Sequence, residues 1–378
     1  MYYTSTKTSG DSTTGSFFAG ANDTSTKTSQ NMTTGLLPNY LTVSGKTRQN
    51  DLDVTFLISI QPGISSKHSL NGAATGENRQ QYLTFGDASW GSVKLGKDIG
   101  IYASDAILND MTLLGVGSGA GNLAGGTTTL GRIGTGYMYA DWKNQIAYTS
   151  PNFNGFSFTG GVSQGWNADN STGRAGSQPA FEGKASYSFA GDVSGKVWVS
   201  GISQKAEGIN SVAAADGYYA VSQSTHLIAL VPAVVANAGT KATARAADIG
   251  VNVNFAGFGA TAYYGEGKGT GTTIQFNGGF DDVGAKRKST DWYAQGTYTL
   301  PGVGTKLGVS YGESELKMTA DDSETGGHHV NSMLVVGAYH PLTKHLNLVA
   351  EYSDAKEKET GLDSAKAKTV SLGAILFF

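Results

Sequence analysis

Hydrophobic and polar residues alternate along most of this chain with a period of two. In residues 248–255 the odd positions hold Ile, Val and Phe, whereas the even positions hold Asp, Gly and Asn. Residues 291–300 repeat the alternation in the opposite phase, with Trp292 and Tyr298 among the apolar positions. Because successive side chains of a strand point to opposite faces, this pattern predicts β-strands with one apolar and one polar face.

The strands are predicted to pair as seven tight hairpins, at 39–61, 79–98, 144–164, 181–203, 248–267, 291–313 and 331–353. The stretches between them are rich in Gly, Ser, Thr, Asp and Asn and are predicted to be solvated loops, for example 62–78, 165–178, 268–289 and 314–330. Short turns at one end and long loops at the other describe an up-and-down meander. Seven hairpins and the final strand give fifteen strands, and an N-terminal strand makes sixteen.

The composition supports an all-β fold and argues against several classes of function. The 54 glycines and 39% hydrophobic residues argue against helices, which glycine weakens. The net charge of −3 gives no field to attract nucleic acid, and the lack of cysteine excludes disulfides, thiolate zinc sites and thiol nucleophiles. No apolar run reaches the ~20 residues of a membrane-spanning helix. The start lacks the pattern of a signal peptide, so we expect a mature chain or an arbitrary beginning.

The polar faces and the aromatic residues distinguish a membrane barrel from a soluble sandwich, which also alternates. The polar positions are mostly Gly, Ser, Thr, Asn and Gln, with few of the long charged residues typical of a solvated surface. Aromatic residues recur near strand ends: Tyr148, Phe153, Tyr187, Phe189, Phe255, Tyr263, Trp292, Tyr298, Tyr311, Tyr352 and Phe378. Aromatic girdles flank the apolar band of outer-membrane barrels. A sheet crossing hydrocarbon must be closed, and about sixteen strands leave a water-filled channel.

Four stretches resemble the general diffusion porins of Gram-negative outer membranes, over roughly residues 39–378. They are "RQQYLTFGDASWGSVKLGKD" (79–98), "GRIGTGY" (131–137) with "NQIAYTSPNFNGFSF" (144–158), "LPGVGTKLGVSY" (300–311), and the terminal Phe378 after alternating apolar residues. The first departs from the family phrase by having Trp90 for Phe and Lys97 for Arg.

The resemblance implies a single transmembrane barrel domain over 1–378, located in the cell outer membrane. It implies a homotrimer without cofactor or catalysed reaction, through which ions and small hydrophilic solutes diffuse passively. The implied partners are outer-membrane lipid, lipopolysaccharide and the assembly machinery, with no nucleic acid. The assembly machinery is expected to read a C-terminal signal made by Val370, Leu372, Leu376 and Phe378.

The resemblance also implies a pore constriction at an inward-folded loop, residues 98–141. Acidic residues on this loop are expected to face a basic cluster on the wall and to create a transverse field. The matching residues are Asp105 and Asp110 on the loop, with Lys46, Arg48, Lys94, Lys97 and Arg132 on or beside the wall. Period two turns Lys46, Arg48 and Lys94 toward the lumen, but it places Lys97 with Val93 and Leu95 unless a bulge intervenes. The loop has no further acid just after Asp110, so ion selectivity stays open.

Two other segments depart from a regular meander. Residues 1–38 are expected to be the remnant of a first strand with its loop, because "MYYTS" is about half a strand; either residues are missing upstream or 15–21 close the seam, and we favour missing residues. Residues 204–243 are expected to form a long outer loop. Its apolar part, 217–240, is expected to fold as a hairpin or short helix, or to dock a partner.

Several motifs suggest other chemistry and are better explained by the barrel. "GVSQG" (161–165) has the spacing of a nucleophile elbow, but a loop rather than a helix follows Ser163. His328 and His329 lie near acids, but neighbouring residues of an extended segment point apart, which disfavours a shared metal. Glu182 is expected beside Lys184 on the lumen wall. The alternatives to a general porin are a substrate-specific channel and a structural or adhesive β-protein.

Overall fold

The computed structural model describes residues 1–10, 28–62, 76–123, 128–166, 178–210, 218–221, 228–231, 239–322, 327–361 and 364–378. The strands are β1 (Tyr2–Ser9), β2 (Thr28–Thr33), β3 (Leu41–Gln49), β4 (Leu52–Pro62), β5 (Gly76–Glu77), β6 (Gln81–Asp87), β7 (Gly91–Ile99), β8 (Ser118–Leu123), β9 (Thr128–Gly131), β10 (Trp142–Thr149), β11 (Phe156–Ser163), β12 (Ala180–Phe189), β13 (Val193–Ile209), β14 (Tyr218–Val221), β15 (Ile228–Val231), β16 (Thr240–Phe255), β17 (Phe258–Lys268), β18 (Lys288–Thr299), β19 (Lys306–Lys317), β20 (His328–Pro341), β21 (Leu346–Glu359) and β22 (Ala365–Leu376). A short helix α1 (Ser104–Leu108) and a 3-10 turn (Met111–Leu114) lie between β7 and β10.

Most strands form one antiparallel meander that curves as a barrel wall, whereas β8–β9 and β14–β15 form two separate hairpins. Sixteen strands pair in succession, in the order β3, β4, β6, β7, β10 to β13, β16 to β22 and β1. The terminal strands meet, since β1 pairs with β22 from Tyr2 opposite Gly373 to Ser9 opposite Lys366. The short β2 pairs with the other edge of β1, and no ladder joins β2 to β3 within the described ranges.

All seven predicted hairpins are confirmed. The hairpin pairs are β3–β4, β6–β7, β10–β11, β12–β13, β16–β17, β18–β19 and β20–β21. The first strand of the barrel is longer than the sequence predicted, because β1 reaches Ser9. Residues 15–21, the predicted alternative for closing the seam, lie outside the described residues.

The barrel is apolar outside and carries its packed core inside. On β19, Val309 is 50% exposed and its neighbour Ser310 is 1% exposed, and the same alternation runs along β16, β17 and β20. The largest fully buried side chains include Trp198, Arg132 and Tyr137, which all lie within the barrel. The predicted inside-out arrangement is therefore confirmed. None of the helices in the described ranges is both long and apolar enough to cross a bilayer.

Placing a charge on the outward face is expected to be costly. Val309→Arg puts a guanidinium among acyl chains and should lower the free energy of unfolding by about 2–4 kcal/mol. Asn252→Arg is the matched control, because Asn252 lines a water-filled cavity inside the barrel. Denaturant titration of the folded protein in lipid vesicles measures both. Equal losses for the two variants would contradict the inside-out arrangement.

One loop that the sequence predicted to be solvated is instead packed inside the barrel. Within 268–289, Gln275, Phe276, Phe280 and Asp281 are 1–4% exposed. Phe276 and Phe280 join an apolar cluster with Tyr102 and other residues of the 100–141 connection and the wall. The prediction was wrong because a Gly- and Thr-rich composition cannot show that the lumen offers a core to a loop. We call residues 269–287 the second inward loop.

The other long connections differ less from the sequence prediction. Part of 314–330 is strand, since β19 continues to Lys317 and β20 begins at His328. The apolar insert 217–240 contains a hairpin of β14 and β15, one of the two forms predicted for it. Residues 63–75 and 167–177, the main parts of two predicted loops, lie outside the described residues.

Candidate functional site: the lumen and its inward loop

The 100–141 connection, called the inward loop below, fills much of the lumen. It begins after β7 with Ile101, Tyr102 and Ala103, all nearly fully buried, and contains α1, the 3-10 turn, β8 and β9 before returning to β10. Ala103 adopts a left-handed conformation at φ 62°, which turns the chain sharply into α1. The loop contacts staves on opposite sides of the barrel, and its hydrogen bonds show how it is held.

The first anchor is an ion cluster around Asp105 on α1. Its carboxylate accepts a hydrogen bond from Lys184 of β12 at 3.1 Å and another from Lys196 of β13. Lys184 also donates to the Ser104 hydroxyl at 3.1 Å. Burial alone would raise the pKa of Asp105, but the two lysines outweigh it and hold this pKa below its usual range. One of the two loop acids is therefore neutralised by the wall it touches.

The second loop acid is enclosed within the loop itself. Asp110 caps the 3-10 turn by accepting from Thr112 N at 3.0 Å, and it accepts from the Tyr137 hydroxyl at 2.9 Å. Arg132 Nε lies 4.0 Å from its carboxylate, and both side chains are fully buried. The same guanidinium donates to the carbonyl oxygens of Thr135 and of Met333 on β20, at 3.2 and 3.0 Å. Arg132 thus ties the loop to the wall while compensating Asp110.

Two wall carboxylates bind backbone amides of the inward loop. Glu351 on β21 accepts from Val116 N at 2.7 Å and from Gly117 N at 2.9 Å, and also from the Tyr339 hydroxyl. Glu182 on β12 accepts from Tyr102 N at 2.9 Å and from Lys143 at 2.7 Å. The sequence predicted Glu182 on an open wall, but the inward loop covers it.

The second inward loop packs against the inward loop and helps to hold it in the lumen. Thr273 O accepts from Tyr139 N at 2.9 Å, and Gln275 both donates to Tyr139 O and accepts from Lys143. Arg287 closes the loop with two hydrogen bonds to Asp322. The two loops therefore form one packed body inside the barrel.

The edge of the inward loop exposes mainly apolar and amide side chains. Leu108 is 54% exposed, and it lines a cavity of 580 Å³ together with Asn109, Asp110, Met111, Leu113 and Leu114, of which the Asp110 side chain is fully buried. The cavity lies between the loop and the short turns of the barrel. The facing wall carries mainly amides and hydroxyls: Ser194, Asn252, Asn254, Gln295, Thr297 and Thr299. Lys306 and Asp192 contribute its wall charges.

The predicted wall cations lie mostly apart from the loop acids. By register Lys46 and Arg48 share the inward face with Ser59 and Gln61, and Arg48 forms ion pairs with Asp53 at 3.0 Å and Asp87 at 2.9 Å.

The other two predicted cations both lie on β7. Lys94 pairs with Asp98 on the inward face and lies 4.7 Å from the centre of the Tyr82 ring. Pairing runs without a bulge through Lys97, which therefore shares the outward face with Val93 and Leu95. Among the described residues, none of these four cations forms an ion pair with Asp105 or Asp110.

Sequence reasoning missed the residues that hold the loop acids and amides. Lys184, Lys196 and Glu351 were not among the predicted site residues. Period two does place Lys184 and Lys196 inward, on the same face as Glu182 and Trp198. Their pairing with Asp105 was not predictable, because it depends on where the loop touches the wall.

The remaining motif residues have structural partners. Ser163 lies on β11, and its hydroxyl donates to Glu182 at 2.5 Å. His328 contacts Glu315, whereas His329 contacts Glu357 at 3.1 Å and Glu359 at 3.6 Å. The C-terminal residues Val370, Leu372 and Leu376 are exposed on the outward face.

Comparisons with known proteins extend these observations. A sequence profile of Gram-negative porins matches residues 5–360. The fold is similar to that of the outer membrane channel DcaP of Acinetobacter baumannii, with 14% identity, coverage of 98% of this chain and 94% of that one, and a TM-score of 0.64. OmpF of Salmonella typhi, solved in complex with daunomycin, has 14% identity, coverage of 99% and 96%, and a TM-score of 0.55.

A third similar structure is OmpT of Vibrio cholerae in its trimer form, with 12% identity, 98% coverage of both chains and a TM-score of 0.52. No protein of curated function matches the sequence.

Proposed function

Because this chain belongs to the Gram-negative porins and forms an outer-membrane channel for passive diffusion, we propose that its inward loop filters solutes mainly by size. The observation that supports this proposal is that both loop acids are paired with basic side chains. Asp105 is bound by Lys184 and Lys196, and Asp110 is enclosed with Arg132. The loop therefore presents little charge to a passing ion.

The charge that remains is carried by the wall. Lys46, Arg48 and Lys94 lie on the inward face and set a weak field along the lumen, moderated by Asp53, Asp87 and Asp98. Asp105, Asp110 and Arg132 fix the shape of the constriction by holding the loop. Lys97 lies on the outward face and therefore does not line the lumen. Solutes that are small and hydrophilic pass between Leu108 and the amide-rich wall, and no reaction is catalysed.

Adding a charge at the loop edge tests this proposal. Leu108→Asp places a carboxylate in the lumen without removing any anchor of the loop. The cation-to-anion permeability ratio should rise by about two- to threefold, which is the effect expected of one added charge that is screened by salt. Reversal potentials of single channels in a salt gradient measure it, with Leu108→Asn as the control for size and polarity. If Leu108→Asp leaves the ratio unchanged, Leu108 does not line the permeation path.

The assembly of the channel follows the same family. We infer a homotrimer, supported by the trimer form of the similar Vibrio cholerae protein. We also assign Val370, Leu372, Leu376 and Phe378 to recognition by the outer-membrane assembly machinery, supported by their exposure on the closing strand. Phe378→Ser should lower the folded protein recovered from outer membranes severalfold, with Phe377→Ser as the control. Equal recovery of both variants would refute the assignment.

A substrate-specific channel is the alternative function, which the match to the porin family does not favour. It predicts that one neutral solute blocks the ion current at millimolar concentration while others do not. A general porin shows no such block. An adhesive β-protein without a channel would show no conductance.

A further inference from the structure

Gln295 of β18 connects the barrel wall to the water-facing edge of the inward loop. Its amide nitrogen donates to the backbone oxygen of Asn109 at 2.7 Å, and its amide oxygen accepts from Met111 N at 2.9 Å. The same nitrogen donates to the Thr261 hydroxyl of β17 at 3.2 Å. A reversed amide would place its NH2 group against the Met111 N–H, so these contacts assign the orientation of the side chain.

The two backbone groups lie at the junction between α1 and the 3-10 turn. Asn109 is the C-cap of α1, and Asp110, the next residue, is the N-cap of the turn that begins at Met111. The ends of helices leave carbonyl oxygens and N–H groups without partners inside the helix. Gln295 supplies a donor for one such oxygen and an acceptor for one such N–H. It therefore fixes the junction at two points, immediately after Leu108.

Gln295 differs from other anchors of the inward loop in charge and in position. Arg132 and Glu351 are charged and almost fully buried, whereas Gln295 is neutral, half-buried and part of the cavity that Leu108 lines. Hydrogen bonds join the wall to the loop at Gln295, so solutes cannot move between them at that point. The passage between Leu108 and the wall is therefore bounded on the β18 side by this contact.

We propose that Gln295 positions the edge of the inward loop and thereby sets the width of the passage. This inference rests on the proposed function, because the width matters only where solutes move past Leu108. Gln295 acts through Asn109 and Met111 and is therefore a positioning residue. Removing its hydrogen bonds frees the junction from the wall, so the passage widens and admits larger solutes.

The first experiment measures the contact itself. Gln295→Met keeps the length of the side chain and removes its hydrogen bonds, so the Met111 amide should exchange its hydrogen about tenfold faster, which is the effect of losing one hydrogen bond. Hydrogen–deuterium exchange of the channel in detergent, read by mass spectrometry, measures this rate. Asn254→Leu is the matched control, because Asn254 lines the same cavity but donates to Asn252 rather than to the loop. An unchanged rate in Gln295→Met would overturn the proposal.

Gln295→Glu provides a pH profile that a purely structural defect would not produce. A protonated glutamic acid donates one hydrogen bond and accepts another, as the glutamine does, whereas an ionised carboxylate only accepts and repels the Asn109 oxygen. Neutral sugars report the width without responding directly to the added charge. Uptake of a trisaccharide relative to a pentose, into vesicles that contain the channel, should rise severalfold over the parent at about pH 7.5 and return to the parent value at about pH 4, where glutamic acid is mainly protonated.

Asn254→Asp is the control for the added charge, since it converts an amide of the same cavity into a carboxylate without removing a contact of the loop. Its uptake ratio should match that of the parent at both pH values. The other charged residues of the cavity, Asp110, Asp192 and Lys306, are common to all these proteins, so their titration cancels in the comparison. An uptake ratio that stays at the parent value in Gln295→Glu, or that rises equally in Asn254→Asp, would overturn the proposal.

The two experiments distinguish this proposal from the proposed function. The exchange rate of Met111 does not depend on permeation, so it tests the contact even if Leu108→Asp leaves the ion selectivity unchanged. Faster exchange in Gln295→Met together with an unchanged sugar uptake ratio in the same variant would overturn the assignment of Gln295 to the width of the passage.

Discussion

Asp105→Asn should turn the channel toward anions. In the parent protein Asp105 binds both Lys184 and Lys196. The substitution leaves these two lysines in the lumen without that carboxylate. A unit charge acts on an ion about 8 Å away in water with about 0.5 kcal/mol. Salt with a Debye length of about 8 Å reduces that energy to about 0.2 kcal/mol, so attracting anions and repelling cations by that amount multiplies the anion-to-cation permeability ratio by about two. Salt-gradient reversal potentials measure this ratio.

The control for Asp105 is Asp354→Asn, which removes a carboxylate that also pairs with a lysine, Lys368, but lies on the outward face of β21. It should change the ratio much less.

A pH titration gives a second check. Because the native pKa of Asp105 is lowered, its stabilising contribution is complete above the unfolded value of about 4 and is lost only as the pH falls through the lowered native pKa. A change in selectivity between pH 6 and 5 that is present in the parent and absent in Asp105→Asn would contradict the lysine cluster.

Arg132→Met should be the most destabilising single change in the inward loop. It removes two hydrogen bonds to carbonyl oxygens and leaves the buried Asp110 without its cation. Breaking a buried ion pair from one side typically costs about 3–5 kcal/mol. We expect a loss of that size, seen as a lower unfolding free energy or as a loop that detaches and makes the open-channel current noisy.

A double-mutant cycle separates lost charge compensation from lost packing. Asp110→Asn added to Arg132→Met removes the stranded carboxylate and should recover about 1 kcal/mol or more. Lys97→Met is the matched control, because Lys97 lies on the outward face away from the loop. Strictly additive losses for Asp110 and Arg132 would show that the two side chains do not interact.

The barrel was predictable from the sequence because its physical cause is local. Alternation within a segment such as 248–255 depends only on which face meets lipid, and each hairpin joins neighbours in the chain. The loop contacts were not predictable in this way. Glu351 meets Val116 across 235 positions, and Gln275 meets Lys143 across 132. Nothing in the local pattern of either segment encodes such a meeting.

The predicted constriction residues show the same division. Period two gave the inward direction of Lys46 and Lys94 and left Lys97 unresolved, which the unbroken register then placed outward. The period-two pattern could not predict that Asp105 would pair with Lys184 and Lys196, or that Arg132 would be fully buried. The second inward loop was mistaken for a solvated one, because Phe276 and Phe280 are isolated apolar residues in a glycine-rich stretch.

The packed body of the two inward loops has a consequence for how the molecule is built. The strands of the barrel pair mainly with their sequence neighbours, whereas the inward loop docks onto residues far away in the chain, such as Glu351 and Met333. Closing such long segments is entropically costly until the surfaces that receive them exist. We therefore expect the strands of the barrel to pair first and the two inward loops to dock afterwards, so that substitutions within the loops leave the pairing of the strands unchanged.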